Sequence, residues 1–178
     1  MYELVTQDDP ILKQKCELFD FKNPQMDPRE LADLLKQTMV AKMGVGLAAN
    51  QIGLPYRVFA IGDPTDPANI EVVFNPKVVF KSEVRRVLEE GCLSYPGMFI
   101  SVRRPIMIRV RVSDADGNMA TKVYDGFPAR AFLHEHDHLE GIWYFDRAGP
   151  VAVSRGKKQK IKLDRLRKRR QAHESNKP

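Results

Sequence analysis

The chain has 178 residues, 43% of them hydrophobic and 29% charged, which is enough length and apolar content for one domain with a proper core. It opens on Met1-Tyr2-Glu3-Leu4 and carries no apolar run that would serve as a signal peptide or span a bilayer, so a cytoplasmic protein with no membrane partner is expected. The formal net charge is +6, and the only cysteines are Cys16 and Cys92, too few for a disulfide framework if one of them has another task.

In chain order, the first predicted element is a helix beginning after Asp27-Pro28-Arg29-Glu30, a capping residue, a proline at the first helical position and a carboxylate at the third. Leu31, Leu34, Leu35 and Met39 recur at helical spacing, and Gly44 suits the exit. Three short strands follow, Tyr56 to Ile61, Glu71 to Phe74 and Lys77 to Phe80, rich in valine and aromatics and bounded by Pro and Gly. The alternation of Ile106-Met107-Ile108-Arg109-Val110-Arg111-Val112 turns at Asp114-Ala115-Asp116-Gly117 towards Lys122-Val123-Tyr124, which reads as a hairpin. A helix framed by Pro128 and Gly141 comes next, and Gly149-Pro150 marks a boundary to a basic tail with good helix formers from Gln159 to Gln171. The expected architecture is α+β: antiparallel strands packed around a central helix, with a body over residues 1–150 and a basic C-terminal helix or tail over 151–178.

The helix framed by Pro128 and Gly141 holds the chemistry. His134 and His138 are four residues apart, so on a turn of about 100° per residue their rings lie only about 40° apart and both reach one divalent ion. His136 points about 200° away and is expected to be a tolerated surface or channel residue, not a further ligand. Glu135 flanks the ligand face, where a carboxylate can take a proton from a coordinated water without coordinating the ion itself. Two histidines alone are a weak signal, and a third donor is found in Glu90-Gly91-Cys92-Leu93-Ser94. A Cys92 thiolate beside two imidazoles suits zinc or iron(II) and leaves a coordination position open, as catalysis requires. Gly44-Val45-Gly46-Leu47-Ala48-Ala49-Asn50-Gln51 adds a wall with almost no side chain, ending in the amide donor of Gln51.

These three segments, in this order and with these separations, resemble the peptide deformylase family over about residues 1 to 147. The resemblance implies a metal-dependent hydrolase that removes the N-formyl group from N-formyl-Met nascent peptides and releases formate. Carried over residue by residue, it implies metal ligation by Cys92, His134 and His138, proton transfer by Glu135, and oxyanion stabilisation by the Gln51 side-chain amide and the backbone N–H of Leu93. The family commonly places a glutamine before the first metal histidine; Leu133 stands there, and loss of that side chain's hydrogen bond is expected to affect rate, not reaction. An arginine at the distance of Arg104 beyond the cysteine motif is expected to pair with Asp137. Gly44, Val45, Gly46, Leu88 and Phe127, with His134, are expected to bind the substrate and line an apolar pocket for its methionine. The metal is expected to be iron(II), with zinc, nickel and cobalt as alternatives, and the protein a monomer.

Other readings of the same residues are a metallopeptidase, whose third ligand usually lies downstream of the histidines, and a non-catalytic RNA-associated protein with a structural metal. Cys92 upstream favours the deformylase, and an unliganded Glu135 disfavours a structural metal. In the tail, ten Lys and Arg against Asp164 between Arg155 and Arg170 make +9 and leave −3 for everything else. That division suggests an interaction arm on an enzyme body. Bacterial members of the family carry a C-terminal basic helix that docks on ribosomal RNA, and the resemblance extends that partner to this tail. Truncation after Pro150 is accordingly expected to spare hydrolysis of short formyl peptides.

Overall fold

The computed structural model describes the backbone of residues 2–175 and the side chains of residues 2–169. Helix α1 spans Pro28–Ala41. Its cap forms as the sequence predicts, the Asp27 carboxylate accepting from the N–H groups of Arg29 at 2.9 Å and Glu30 at 3.0 Å. Leu31, Leu35 and Met39 are wholly buried beneath it. The exit differs from expectation. The left-handed residue after the helix is Met43, φ 53°, and Gly44 is needed for close approach instead: a Cβ there would sit 2.7 Å from Leu93 Cδ1.

The strands are β1 Gly46–Ala48, β2 Val58–Ile61, β3 Glu71–Lys81, β4 Arg85–Cys92, β5 Tyr95–Pro105, β6 Met107–Ser113 and β7 Met119–Asp125. They form an antiparallel five-stranded sheet, ordered β1-β2-β3-β6-β7, and a separate β4–β5 hairpin. The two strands expected at Glu71–Phe74 and Lys77–Phe80 are one element, interrupted by a register shift between Phe74 and Lys77. Asn75, at φ 48°, makes that break, and its side chain ties the chain to Phe19 by accepting from its N–H at 2.8 Å and donating to its carbonyl at 2.9 Å. The β6–β7 hairpin forms as expected, Met107 pairing with Asp125 and Ser113 with Met119.

Helix α2 spans Gly126–Leu139 and lies between the large sheet and the β4–β5 hairpin. Phe132 meets Phe59 edge to face at 5.0 Å, and with Ile108, Val110, Leu133 and Leu139 it forms the core under the large sheet. On the other side, Met98, Ile100 and Val102 alternate inward along β5 and pack with Leu12, Trp143 and Tyr144. That alternation, apolar at every second position, is the strand signal of the segment that pairs with β4 and Cys92.

Helix α3 spans Pro150–Ser175, so the expected basic helix is present but is not wholly an arm. Ala152 and Val153 pack on the β5 cluster, and Gly156 is buried so closely that a Cβ would lie 2.7 Å from Ile100 Cγ1. Lys160 donates to the Pro96 carbonyl at 3.3 Å and lies over the Tyr95 ring. The division expected at residue 150 therefore lies just ahead of a segment that packs on the same inward-facing row of β5 as Leu12, Trp143 and Tyr144. Among the described residues, no helix is long and apolar enough to cross a membrane.

Candidate metal centre

Two elements bring the ligand atoms together. His134 and His138 sit one turn apart on α2, with ring centroids 5.2 Å apart, and Cys92 stands at the end of β4 where it pairs with Tyr95 across a two-residue turn. Their ligand atoms all lie within 4.8 Å of one another, and Cys92 Sγ is 3.2 Å from His138 Nε2. One thiolate and two imidazoles converging at this spacing are a fitting donor set for one divalent ion. His136 is not among them, as expected of a residue on another face: it is half-buried and stacks on Phe132 at 6.5 Å. Burial, with the charge of Arg57 beside it, brings its pKa down to about 4.

The histidines are fixed from behind. His134 Nδ1 lies 3.0 Å from Glu90 Oε2, which turns the other ring nitrogen towards the site. Burial alone would raise the Glu90 pKa, but its bonds to His134 and Arg104 outweigh that and hold it at about 2. Arg104 grips Glu90 through Nε at 2.7 Å and Nη2 at 2.9 Å. Its Nη1 reaches Asp137 at 2.8 Å, with both side chains buried, as the sequence predicts. Asp137 also receives Arg147 at 2.7 Å. Burial depresses the His138 pKa well below the ordinary range, which favours the neutral imidazole, the form able to ligate a metal, and its carbonyl accepts from Asn50 Nδ2 at 2.7 Å.

Glu135 is 4% exposed, and its Oε2 has no hydrogen-bond partner among the described residues. Burial raises its pKa to about 7 in spite of the neighbouring His134. The carboxylate lies against the glycine wall: a Cβ on Gly46 would stand 2.7 Å from Glu135 Cδ. Gln51 is oriented by accepting from the Ala48 N–H at 2.8 Å through Oε1, which directs its amide nitrogen to Ser94 Oγ at 3.1 Å and Cys92 Sγ at 3.5 Å. Leu93 occupies the first position of the hairpin turn beside Cys92.

A cavity of about 470 Å³ opens onto this cluster, walled by Val45, Gly46, Phe127, Ala131, His134 and Glu135, with Gly44 and Leu93 also on its surface. Leu88 does not line it. It pairs with Val102 farther back on β4 and is 44% exposed, because the cavity follows the turn end of the hairpin. Leu133 lies in the core, 5% exposed, and its carbonyl accepts from Arg104 Nη1 at 3.4 Å; the position serves packing and backbone support. Cys16 is buried, and burial pushes its thiol up to about 11, so it is inert. Glu90 and Ser94 belong to the cysteine motif but carry no role in the sequence reading, and Arg130 and Arg147 stand outside all three motifs.

The profile of the family described as polypeptide deformylase matches residues 1–154. The chain belongs to that family. A peptide deformylase of Desulforudis audaxviator is 40% identical over 151 residues, covering 85% of this chain and 96% of the relative. Among solved structures, a plant peptide deformylase superposes with a TM-score of 0.83 at 29% identity, covering 95% of this chain and 92% of that one. A class I type b peptide deformylase from Acinetobacter baumannii with Met-Ala-Ser bound gives 0.76 at 32% identity, covering 83% and 98%. As a deformylase the chain is a metal-dependent hydrolase that removes the formyl group from formyl-methionine peptides, and the comparisons support neither a metallopeptidase nor a structural RNA-associated protein.

Proposed function

We propose that Cys92, His134 and His138 hold the metal of this deformylase and that Glu135, Gln51 and the Leu93 N–H perform the hydrolysis around it. When bound, a divalent ion in such a set acidifies a coordinating water and polarises the formyl carbonyl. Glu135 accepts the water's proton at its unpartnered buried oxygen and delivers it to the departing amine. The Gln51 amide, held by the Ala48 N–H, and the Leu93 N–H donate to the oxygen that gains charge as the formyl carbon becomes tetrahedral. The substrate's methionine occupies the cavity beside Val45 and Phe127, where an unbranched apolar side chain fits between wall and helix. That the Acinetobacter relative binds Met-Ala-Ser supports a peptide beginning with methionine as the occupant.

The observation that carries this reading is a buried carboxylate whose Oε2 has no hydrogen-bond donor among the described residues, packed on a glycine, next to a Cys/His/His cluster. The test is formate release from formyl-Met-Ala-Ser by protein loaded anaerobically with iron(II) and, in parallel, with zinc. Glu135→Gln is expected to retain one equivalent of metal while kcat falls by about 10²–10⁴. Near-native turnover in that variant would end the general-base assignment. Iron(II) is our choice of native ion; the donor set also accepts zinc, nickel and cobalt, and a faster zinc form would reverse that choice.

We further infer that the outer half of α3 contacts ribosomal RNA. Lys158, Lys162, Arg165 and Arg169 are exposed and line one shared surface of the helix, while Ala152, Val153 and Gly156 take up its inner side. Cations arranged in this way suit phosphate contacts without sequence reading.

A further inference from the structure

We propose that Arg130 is a positioning residue of the metal centre, setting both the ring orientation of His134 and the distance between the histidine helix and the cysteine hairpin. This rests on reading Cys92, His134 and His138 as metal ligands. The Arg130 side chain is 7% exposed, within the wall of the substrate cavity, and a buried guanidinium persists only where its donors and its charge are met. Arg130 meets them on both strands of one hairpin: Nη2 donates to the Arg86 carbonyl on β4 at 2.7 Å, and Nη1 donates to the Val102 carbonyl on β5 at 3.0 Å and to Glu90 Oε1. That hairpin ends in the turn beside Cys92. Because Arg130, His134 and His138 recur every four residues, they share one stripe of α2, and the crosslink lies one turn before the first ligand.

The capacity of Glu90 makes Arg130 necessary. A carboxylate offers about four acceptor positions, and three are taken by Arg104 Nε on Oε1 and by Arg104 Nη2 and His134 Nδ1 on Oε2. Arg130 fills the fourth. Arg104 also neutralises Asp137, so Arg104 and Arg130 together balance the buried carboxylates of Glu90 and Asp137. Without Arg130, Arg104 is divided between two anions, and among the described residues the other guanidinium at hand is Arg147, whose side chain is 45% exposed. Glu90 would then lose one of the four bonds that fix the carboxylate facing His134, and α2 would be held to the strands that lead to Cys92 through Arg104 and the His134–Glu90 contact.

The test compares the cobalt(II)-loaded full-length protein with Arg130→Met and Arg130→Lys, reading cobalt affinity by chelator competition, the visible cobalt spectrum, steady-state kinetics on formyl-Met-Ala-Ser and thermal unfolding. In Arg130→Met, cobalt affinity is expected to fall about 10–100-fold, the cobalt bands to shift, and kcat to drop while KM stays within about twofold, as for a group that acts through a ligand and not on substrate. Arg130→Lys should recover part of the affinity, since one ammonium can face Glu90 but cannot fork to both carbonyls. Lower melting temperature with unchanged cobalt affinity and spectrum would overturn the proposal and leave Arg130 as a packing residue. If Arg130→Met does not fold, Arg130→Lys decides: wild-type affinity and bands there overturn it, weakened affinity with shifted bands supports it. A wild-type protein that binds cobalt but releases no formate would instead count against the proposed function, leaving the metal-affinity comparison to stand by itself.

Discussion

At the scale of single residues, the site depends as much on missing atoms as on ligands. Glu135 can lie beside the cluster because Gly46 has no side chain; the first atom added there meets the carboxylate. Alanine at Gly46 must displace either Glu135 or β1, and overpacking of this kind costs about 1–3 kcal/mol. Displacement of the proposed base matters more than that loss, since a shift of about 1 Å can cost about 10²-fold in rate. Gly46→Ala is expected to fold, to retain metal and to lose about 10²-fold in kcat on formyl-Met-Ala-Ser. Unchanged kcat with a normal melting curve would show that Glu135 does not need its observed place. Leu133 illustrates the opposite case: its side chain sits in the core and its carbonyl faces Arg104, so the departure from the family's glutamine is accommodated by packing.

At the scale of elements, the β4–β5 hairpin is the part on which everything converges. It carries Cys92 at its turn, Glu90 and Arg104 along its strands, and the apolar row Met98, Ile100 and Val102 on which α3 lies. Cutting the chain after Pro150 removes Ala152, Val153 and Gly156 from that row and exposes Ile100. The lost burial is worth roughly 3 kcal/mol at about 1.5–3 kcal/mol per well-buried side chain, or on the order of 10 °C in melting temperature for a chain of this size. Truncation after Pro150 is therefore expected to lower the melting temperature by about that much and to weaken metal retention, whereas truncation after Asp164, which keeps Lys160 and Leu163 in place, should leave both near the full-length values. Equal melting temperatures for the two truncations would mean that α3 contributes nothing to the hairpin.

For the whole molecule, charge and chemistry are segregated. The segment from Arg155 to Arg170 carries +9 of a net +6, so the remainder is mildly acidic, and the metal cluster lies wholly in that remainder. Attraction to ribosomes should reside in α3 and fall steeply with salt, because each phosphate contact releases counterions. In sedimentation at low and moderate salt, the full chain is expected to pellet with ribosomes in a salt-sensitive manner and the chain truncated after Asp164, which keeps Lys158 and Lys162 but loses Arg165 and Arg169, to pellet less and to be released at lower salt, with hydrolysis of short formyl peptides unaffected. Equal sedimentation of both would remove the RNA-binding role of the arm.

The amino-acid sequence by itself determined what is local or periodic. The Asp27 cap and the buried stripe of α1, the β6–β7 alternation, the i, i+4 histidines and the inward-facing Asp137 all follow from spacing along one element, where geometry is fixed by 3.6- or 2-residue repeats. Three ordered motifs also named the family and, through it, the chemistry. Tertiary structure alone decided what depends on approach between elements distant in sequence. Arg130 shares the stripe of His134 and His138, yet its partner carbonyls on Arg86 and Val102 lie 44 and 28 residues away and carry no side-chain signature. Leu88 stands near the cysteine motif in sequence but behind the cavity in space. Gly44 and Gly46 read as a bare wall, while only packing shows that one admits Leu93 and the other Glu135. Hydrogen bonds to backbone and contacts made by absent side chains are decided when surfaces meet, and nothing in a one-dimensional pattern encodes which surfaces those will be.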